Sequence, residues 1–168
     1  EQERQRLNDV LKIYADQERT VNACLENIIL NPDSESAVFE VLRLVGEQTG
    51  ADRCYIFEND YRQRKCRNTY EWTAAGVPAL KEHLQNLALE FSPEWDRALR
   101  NRQLICSSDP AAAESPAVLP EVADRLHRRD VEALMVAGIW AEGVLWGFIG
   151  LDYVGRPHVF SETEWNLV

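Results

Sequence analysis

Cysteine offers the most reactive side chains in this sequence, which contains Cys24, Cys54, Cys66 and Cys106. Their spacing is wide and irregular, without the C-x-x-C pair of a zinc knuckle. A redox enzyme would need one cysteine as a low-pKa thiolate and a second one to resolve the oxidised form. Cys54 and Cys66 alternate with apolar residues on predicted strands, which is typical of structural cysteines. We therefore expect free thiols and no metal site.

Histidine and aspartate are the next candidates for chemistry. His83, His127 and His158 could ligate a haem iron, but each stands where exposure to solvent is the simpler expectation. Asp152 follows a buried apolar strand and could orient a donor on a ligand, although an aspartate at a strand end more often forms a turn. There is no glycine-rich phosphate loop, no HExxH and no Ser-His-Asp spacing. The sequence indicates no catalytic residue and no obvious cofactor.

Tryptophan offers a different possibility, an aromatic pocket for a planar ligand. The competing interpretation is packing between helices and a sheet, which accounts for most tryptophans in cores. We take Trp72 and Trp95 as pocket candidates, together with the hairpin residues described below. The sequence contains five tryptophans: Trp72, Trp95, Trp140, Trp146 and Trp165.

Length and charge limit the classes of function. A chain of 168 residues with 45% hydrophobic residues has room for one domain with a proper core. The formal net charge of -10 argues against a nucleic-acid surface, which needs clustered positive charge. The basic clusters at 62–67 and 125–129 are expected to be solvated faces. The chain opens with Glu-Gln-Glu-Arg, without a signal peptide, and we expect a cytoplasmic location.

The segment 134–151 is nearly long and apolar enough to cross a membrane. Glu142 and Gly143 lie at its middle, between two runs rich in Val, Ile and Trp. Because Gly accepts a positive φ, this pattern predicts a β-hairpin and no membrane insertion.

The remaining elements follow from periodicity and from the positions of Pro and Gly. The apolar spacing and the turn signals predict an α+β domain with an antiparallel sheet of about five to six strands between helices, and a long N-terminal helix. The predicted helices are 3–30, 35–49, 78–89, 94–101, 118–129 and a capped helix from Ser161, and the predicted strands are 53–59, 65–73, 103–109, 133–141 and 144–154.

The hairpin also predicts which residues share a face of the sheet. If Glu142 and Gly143 form the turn, Ala141 pairs with Val144, and Gly138 lies opposite Gly147 in a notch. Alternation then gives a face with an aromatic bias, which we expect to line a pocket under the helices of 78–129. That face contains Trp146, Phe148, Met135 and Ile139.

The sequence resembles the GAF domains of bacterial signalling proteins over residues 34–168. The residues that carry the resemblance are "QTGADRCYIFEND", "EWDRALRNRQLICSSD" and above all "LMVAGIWAEGVLWGFIGLDYVGRPHVFSETE". The resemblance implies a non-catalytic sensory or relay domain, which binds an unknown small ligand or serves in dimerisation. It also implies that 1–33 is a connecting signalling helix and that the chain belongs to a longer receptor, of the sensor histidine kinase type, cut within its output helix.

Several subclasses of the family have characteristic sequence motifs. The Asn-Lys-Phe-Asp-Glu pattern of cyclic-nucleotide binders and the Cys-His pair of many bilin binders do not occur. The alternative to a sensory domain is an enzyme, a cysteine-based reductase of the free methionine sulfoxide reductase type. Cys106 lies near the relevant strand, but "LICSSD" lacks the surrounding pattern of that enzyme family.

The N-terminal helix carries an apolar heptad pattern that predicts a parallel homodimer. Its stripe is wide, and this favours a four-helix bundle of the first and last helices of two chains. The alternative is that the first helix folds back on its own domain. The predicted seam residues are Leu7, Val10, Tyr14, Val21, Cys24 and Ile28.

Overall fold

The computed structural model describes residues 2–30, 35–89, 93–108 and 128–161. Six strands form one antiparallel sheet in the order β3-β2-β1-β6-β5-β4, with α2 packed on one face and α3 on the other. The predicted α+β class and strand number are confirmed. The elements are α1 (Gln2–Leu30), α2 (Glu35–Thr49), β1 (Arg53–Asp60), β2 (Lys65–Thr73), β3 (Leu87–Ala88), α3 (Pro93–Arg100), β4 (Ile105–Ser107), β5 (Val131–Ala141) and β6 (Val144–Val154).

The first half of the domain follows its local sequence pattern closely. The helix α1 runs through a stretch that lacks both Gly and Pro, and α2 buries Leu42 and Val45 on its apolar face. Gly50 ends α2 with a left-handed φ of +65°, a conformation that glycine adopts without a steric penalty. The chain then enters β1 directly, so that α2 covers the central strands.

The predicted helix 78–89 is wrong. This segment contains one 3-10 turn (Lys81–His83) and the short strand β3, which pairs with the edge of β2. The reason lies in its backbone partners at the edge of β2, because the N–H of Asn68 donates to the carbonyl oxygen of Leu84 at 2.9 Å and the N–H of Leu89 donates to that of Arg64 at 3.1 Å. Asn86 then adopts a left-handed φ of +57°, which breaks any helical continuation.

Three further predictions fall partly outside the described residues. The predicted strand 103–109 is the shorter β4, Ile105–Ser107. Most of the predicted helix 118–129 lies outside the described residues, and 128–130 form a turn. The predicted final helix lies outside them beyond Ser161.

The predicted hairpin and its turn are confirmed. Glu142 and Gly143 have φ values of +49° and +76°, and Ala141 pairs with Val144. One register step later the pairing shifts, because Trp140 pairs with Leu145 whereas Ile139 pairs with Gly147. Trp146 is therefore the extra residue of a β-bulge.

This bulge overturns the predicted faces of the hairpin. Phe148 pairs with Gly138, so the predicted notch of Gly138 opposite Gly147 is wrong. Phe148 lies on the α3 side as predicted, in a core cluster with Leu134 and Val136. Met135 pairs with Leu151, which packs on the α2 side. Ile139 shares the parity of Met135 along β5 and so also belongs to the α2 face. The single extra residue shifts the pairing by one position from Ile139 to Ala133, and a second shift restores the original register where Val131 pairs with Val154.

Candidate functional site

A cavity of about 420 Å³ lies on the α3 side of the sheet. Its floor consists of side chains from β1, β2 and β6, and its cover consists of Trp95 and the segment between β2 and β3. The exposed Arg129 also borders it. A volume of this size is typical of sites for small organic molecules. The lining residues are Tyr55, Phe57, Cys66, Glu71, Leu80, Leu84, Leu87, Ala88, Trp95, Arg129, Val131, Phe148 and Asp152.

Four aromatic rings form much of the apolar lining. Phe57 and Phe148 are cross-strand partners on β1 and β6, and their rings stack with centroids 4.7 Å apart. Trp95 meets Phe148 edge-on at 6.0 Å, and Tyr55 meets Phe57 edge-on at 5.7 Å. Such contacts favour a rigid wall, because each ring is fixed by a neighbour of complementary charge distribution.

A buried polar network completes the floor of the cavity. Arg53 Nη1 donates to Asp152 Oδ2 at 3.2 Å, and the hydroxyl of Tyr55 donates to Asp152 Oδ1 at 2.9 Å. Arg53 Nε donates to the carbonyl oxygen of Pro78 at 3.0 Å, which joins the network to the cover. Arg53 is 2% exposed and Asp152 is 4% exposed. Two buried charges thus compensate each other beside a mostly apolar space.

Burial dominates the protonation equilibria of this network. Desolvation raises the pKa of Asp152 to about 6, although the guanidinium of Arg53 and the Tyr55 hydroxyl oppose the change and Glu71 adds to it. Desolvation and the negative charge of Asp152 together raise the pKa of Tyr55 well above its usual value. Tyr55 is therefore a hydrogen-bond donor at neutral pH, and Asp152 titrates close to the physiological range.

Glu71 connects the floor of the cavity to its cover. Its Oε1 accepts hydrogen bonds from the backbone N–H groups of Leu80 at 2.9 Å and Lys81 at 3.0 Å. The carboxylate thereby satisfies two donors of a segment that has little regular structure of its own. Glu71 and Asp152 both line the cavity, and the negative charge of Glu71 contributes to the raised pKa of Asp152.

The family model of the GAF domain matches residues 33–168. The chain belongs to the GAF family. It is 27% identical over 140 residues to the methanogenesis regulatory histidine kinase FilI of Methanothrix harundinacea (strain 6Ac). The match covers 82% of this chain and 16% of the length of that kinase.

Solved GAF structures share the fold of this chain. A phycoerythrobilin-bound GAF domain from a cyanobacterial phytochrome superposes with a TM-score of 0.77 and 17% identity, over 92% of this chain and 89% of that one. A phycocyanobilin-bound GAF domain from a cyanobacterial phytochrome gives 0.76 and 18% identity, over 90% and 86%. At this level of identity the likeness concerns the fold.

The cavity of this GAF domain contains two of the six residues predicted to line a pocket. Trp95 and Phe148 line it. Trp72 lies on the opposite face, where its ring packs against Gly46 of α2. Met135 and Ile139 also belong to that opposite face, and the half-buried Trp146 occupies the bulge without lining the cavity.

Sequence reasoning missed most of the polar site. From the sequence, Asp152 fits a turn former better than a residue that orients a ligand. The sequence places Arg53, Tyr55 and Glu71 on strands and indicates no role for them. A signal did exist in Arg53, because a charged residue at the start of an aromatic strand must reach a buried partner or solvent. The partner is 99 residues away in the sequence, and only the strand order brings the two together.

The thiols of Cys54 and Cys66 are poorly suited to nucleophilic chemistry. None of the four cysteines forms a disulfide, and Cys66 lines the cavity. Burial raises the pKa of Cys66 to about 11 and raises that of Cys54 further. Because the thiolate is the reactive form, these shifts weigh against the alternative of a cysteine-based reductase. Among the described residues there is no group of His, Cys, Asp and Glu that could hold a metal ion.

The helix α1 packs along α2, and Cys24 lies against the α2-side core. Near its start the same helix leaves large apolar side chains in solvent: Leu7, Val10, Leu11 and Ile13. The side chains of Tyr14, Val21 and Ile28 lie outside the described residues. Within the described ranges, no helix is sufficiently long and apolar to cross a bilayer.

Proposed function

We propose that this GAF domain is a non-catalytic sensory or relay module that binds a small organic ligand in the 420 Å³ cavity. The supporting observation is the combination of an apolar aromatic wall with the buried Asp152 network at the same cavity. Ligand sites commonly pair a large apolar surface with a few fixed polar groups, which set orientation and specificity. No step of bond making or breaking is required of any residue.

The strand β6 offers a direct route from this cavity to the C-terminal side of the domain. Asp152 lines the cavity, and its neighbour Tyr153 lies on the opposite face. The Tyr153 ring stacks on His158 with centroids 3.9 Å apart, and its hydroxyl donates to the carbonyl oxygen of Thr49 at 2.8 Å. A ligand that moves Asp152 would therefore also displace groups at the end of α2 and in the segment that leaves the sheet.

We propose that the parent protein is a histidine kinase and that this domain is one of its several modules. We also propose that the domain lies in the cytoplasm. The relative FilI supports the kinase assignment, because its match includes most of this chain. We further propose a homodimer through α1 and the final helix. Support comes from the exposed apolar residues Leu7, Val10, Leu11 and Ile13, which lie within one heptad near the start of the helix.

Native mass spectrometry of the chain purified from its own host tests the ligand proposal. A bound molecule would appear as mass beyond the polypeptide, and a mass matching a bilin would place this GAF domain with its structural neighbours. The variant Leu84→Trp should abolish the added mass, because Leu84 lines the cavity and a larger ring would fill it. Val144→Trp is the matched control, since Val144 is exposed at the hairpin turn and does not line the cavity. A bare polypeptide mass for the wild type would contradict the proposal.

A further inference from the structure

We propose that the ligand of this cavity is an organic ammonium cation. This inference rests on the proposed function, because it takes the cavity as the ligand site. It is carried by the juxtaposition of two carboxylates and four aromatic rings around one space of about 420 Å³.

The first argument is the charge of the cavity walls. Asp152 and Glu71 both line the cavity, whereas Arg53, the cation paired with Asp152, is buried beside it without lining it. Glu71 is held by neutral backbone N–H groups, which donate hydrogen bonds without cancelling its charge. Among the described residues that line the cavity inside its exposed border, the half-buried Glu71 therefore contributes one negative charge that no ion pair offsets. The charge of Arg129 lies at the exposed border, where solvent screens it.

The second argument is the aromatic lining. The faces of aromatic rings carry partial negative charge and attract cations, most strongly when water is excluded. Trp95, Tyr55, Phe57 and Phe148 supply such rings around the same space as the carboxylates. Aromatic rings combined with a carboxylate form a surface that binds quaternary and protonated amines. The rings contact the apolar alkyl groups of the amine, and the rings and the carboxylate together attract its positive charge.

The third argument is what the walls reject. An anionic ligand would face two carboxylates at close range, and the repulsion would not be offset by any unpaired buried cation among the described residues. A neutral apolar ligand would remove water from the Glu71 carboxylate without compensating its charge, which is unfavourable. The lining therefore discriminates by charge as well as by shape.

Three para-substituted phenols, of which the cation and the neutral compound have matched shapes, test this inference by isothermal titration calorimetry on the purified chain. They are para-hydroxyphenyl trimethylammonium, its neutral isostere para-tert-butylphenol, and the anion para-hydroxybenzoate. We expect the cation to bind at least about tenfold more tightly than the isostere, and the anion not to bind.

Two variants identify the groups responsible. Glu71→Gln keeps an acceptor for Leu80 and Lys81 and removes the charge, and we expect about a tenfold loss in cation affinity with little change for the isostere. Glu47→Gln on α2 is the matched control, since it removes the same charge from an exposed ion pair with Arg43 and should leave both affinities unchanged. Urea unfolding of each variant verifies that it folds.

The outcomes separate the two proposals. Equal or tighter binding of the neutral or anionic probe, abolished by Leu84→Trp, would overturn the cation class and leave the cavity as a ligand site. An unchanged cation affinity in Glu71→Gln, or no binding of the cation up to its solubility, would also overturn the cation class. The proposed function itself fails only if the host-purified protein carries no ligand.

Discussion

Arg53 and Asp152 form a buried ion pair that joins the first and last long strands of the described chain. Their side chains approach to 3.2 Å, and the two residues are cross-strand partners at the cavity end of β1 and β6. The pair also receives the Tyr55 hydroxyl and reaches the Pro78 carbonyl, so it connects sheet, cavity and cover. The carboxylate of Asp152 thus both connects these elements and lines the cavity as a candidate contact for a ligand.

Removal of one partner of the Arg53–Asp152 pair should lower the free energy of unfolding substantially. Arg53→Met would leave Asp152 buried without its cation, and we expect a loss of about 3–5 kcal/mol in the free energy of unfolding, measured by urea denaturation. Arg67→Met is the matched control, because Arg67 pairs with Glu58 at 3.1 Å on the surface and should cost at most about 1 kcal/mol. Similar losses in the two variants would show that the buried pair contributes no more than an exposed one.

The raised pKa of Asp152 predicts a pH dependence of stability. Its folded pKa of about 6 exceeds the ordinary value of 3.8, so between these values the folded state binds more protons than the unfolded state. The contribution of this group to stability is therefore fully present below pH 4 and is lost as pH rises through 6. Relative to Asp152→Asn, the wild type should lose up to about 3 kcal/mol between pH 4 and pH 7.

Urea denaturation of both proteins at the two pH values measures this difference. The subtraction cancels the titration of groups that the two proteins share. A difference that is constant with pH, or that grows in favour of the wild type as pH rises, would mean that the ion pair with Arg53 outweighs desolvation.

Two glycines of the hairpin should respond differently to a methyl group. A Cβ on Gly147 would lie 1.9 Å from the backbone oxygen of Phe57, which cannot move without breaking the β1–β6 pairing. A Cβ on Gly138 would mainly meet the side-chain end of Leu145, at 2.9 Å. We expect Gly147→Ala to cost about 3 kcal/mol or more, and Gly138→Ala about 1 kcal/mol, in thermal or urea unfolding. Equal costs would argue against the bulged register at Trp146.

The proposed dimer can be tested on α1. Val10→Glu would place a charge in the middle of the exposed apolar stripe, and analytical ultracentrifugation should show a shift from dimer to monomer. Lys12→Glu is the control, since Lys12 lies outside the heptad seam on the same exposed helix and should leave the dimer intact. If the wild type and Val10→Glu sediment as the same species, the seam does not exist.

Much of the fold follows from short-range patterns in the sequence. The uninterrupted α1, the amphipathic α2, the aromatic β1 and the Glu142–Gly143 turn each depend on residues within a few positions of one another. Backbone propensity, side-chain period and the positive φ of a turn act over that range. These features could therefore be predicted, and so could the general resemblance to the GAF family that the family model confirmed.

The tertiary structure alone decided the site. The bulge at Trp146 left no local trace, because both faces of the hairpin are apolar and a shift of one residue does not violate the hydrophobic pattern. The helix predicted from Pro78 does not form because the end of that segment pairs with the edge of β2, a different element. Arg53 and Asp152 become partners only when β1 and β6 lie side by side. A buried charge specifies that a partner must exist, but its identity depends on which strands become neighbours.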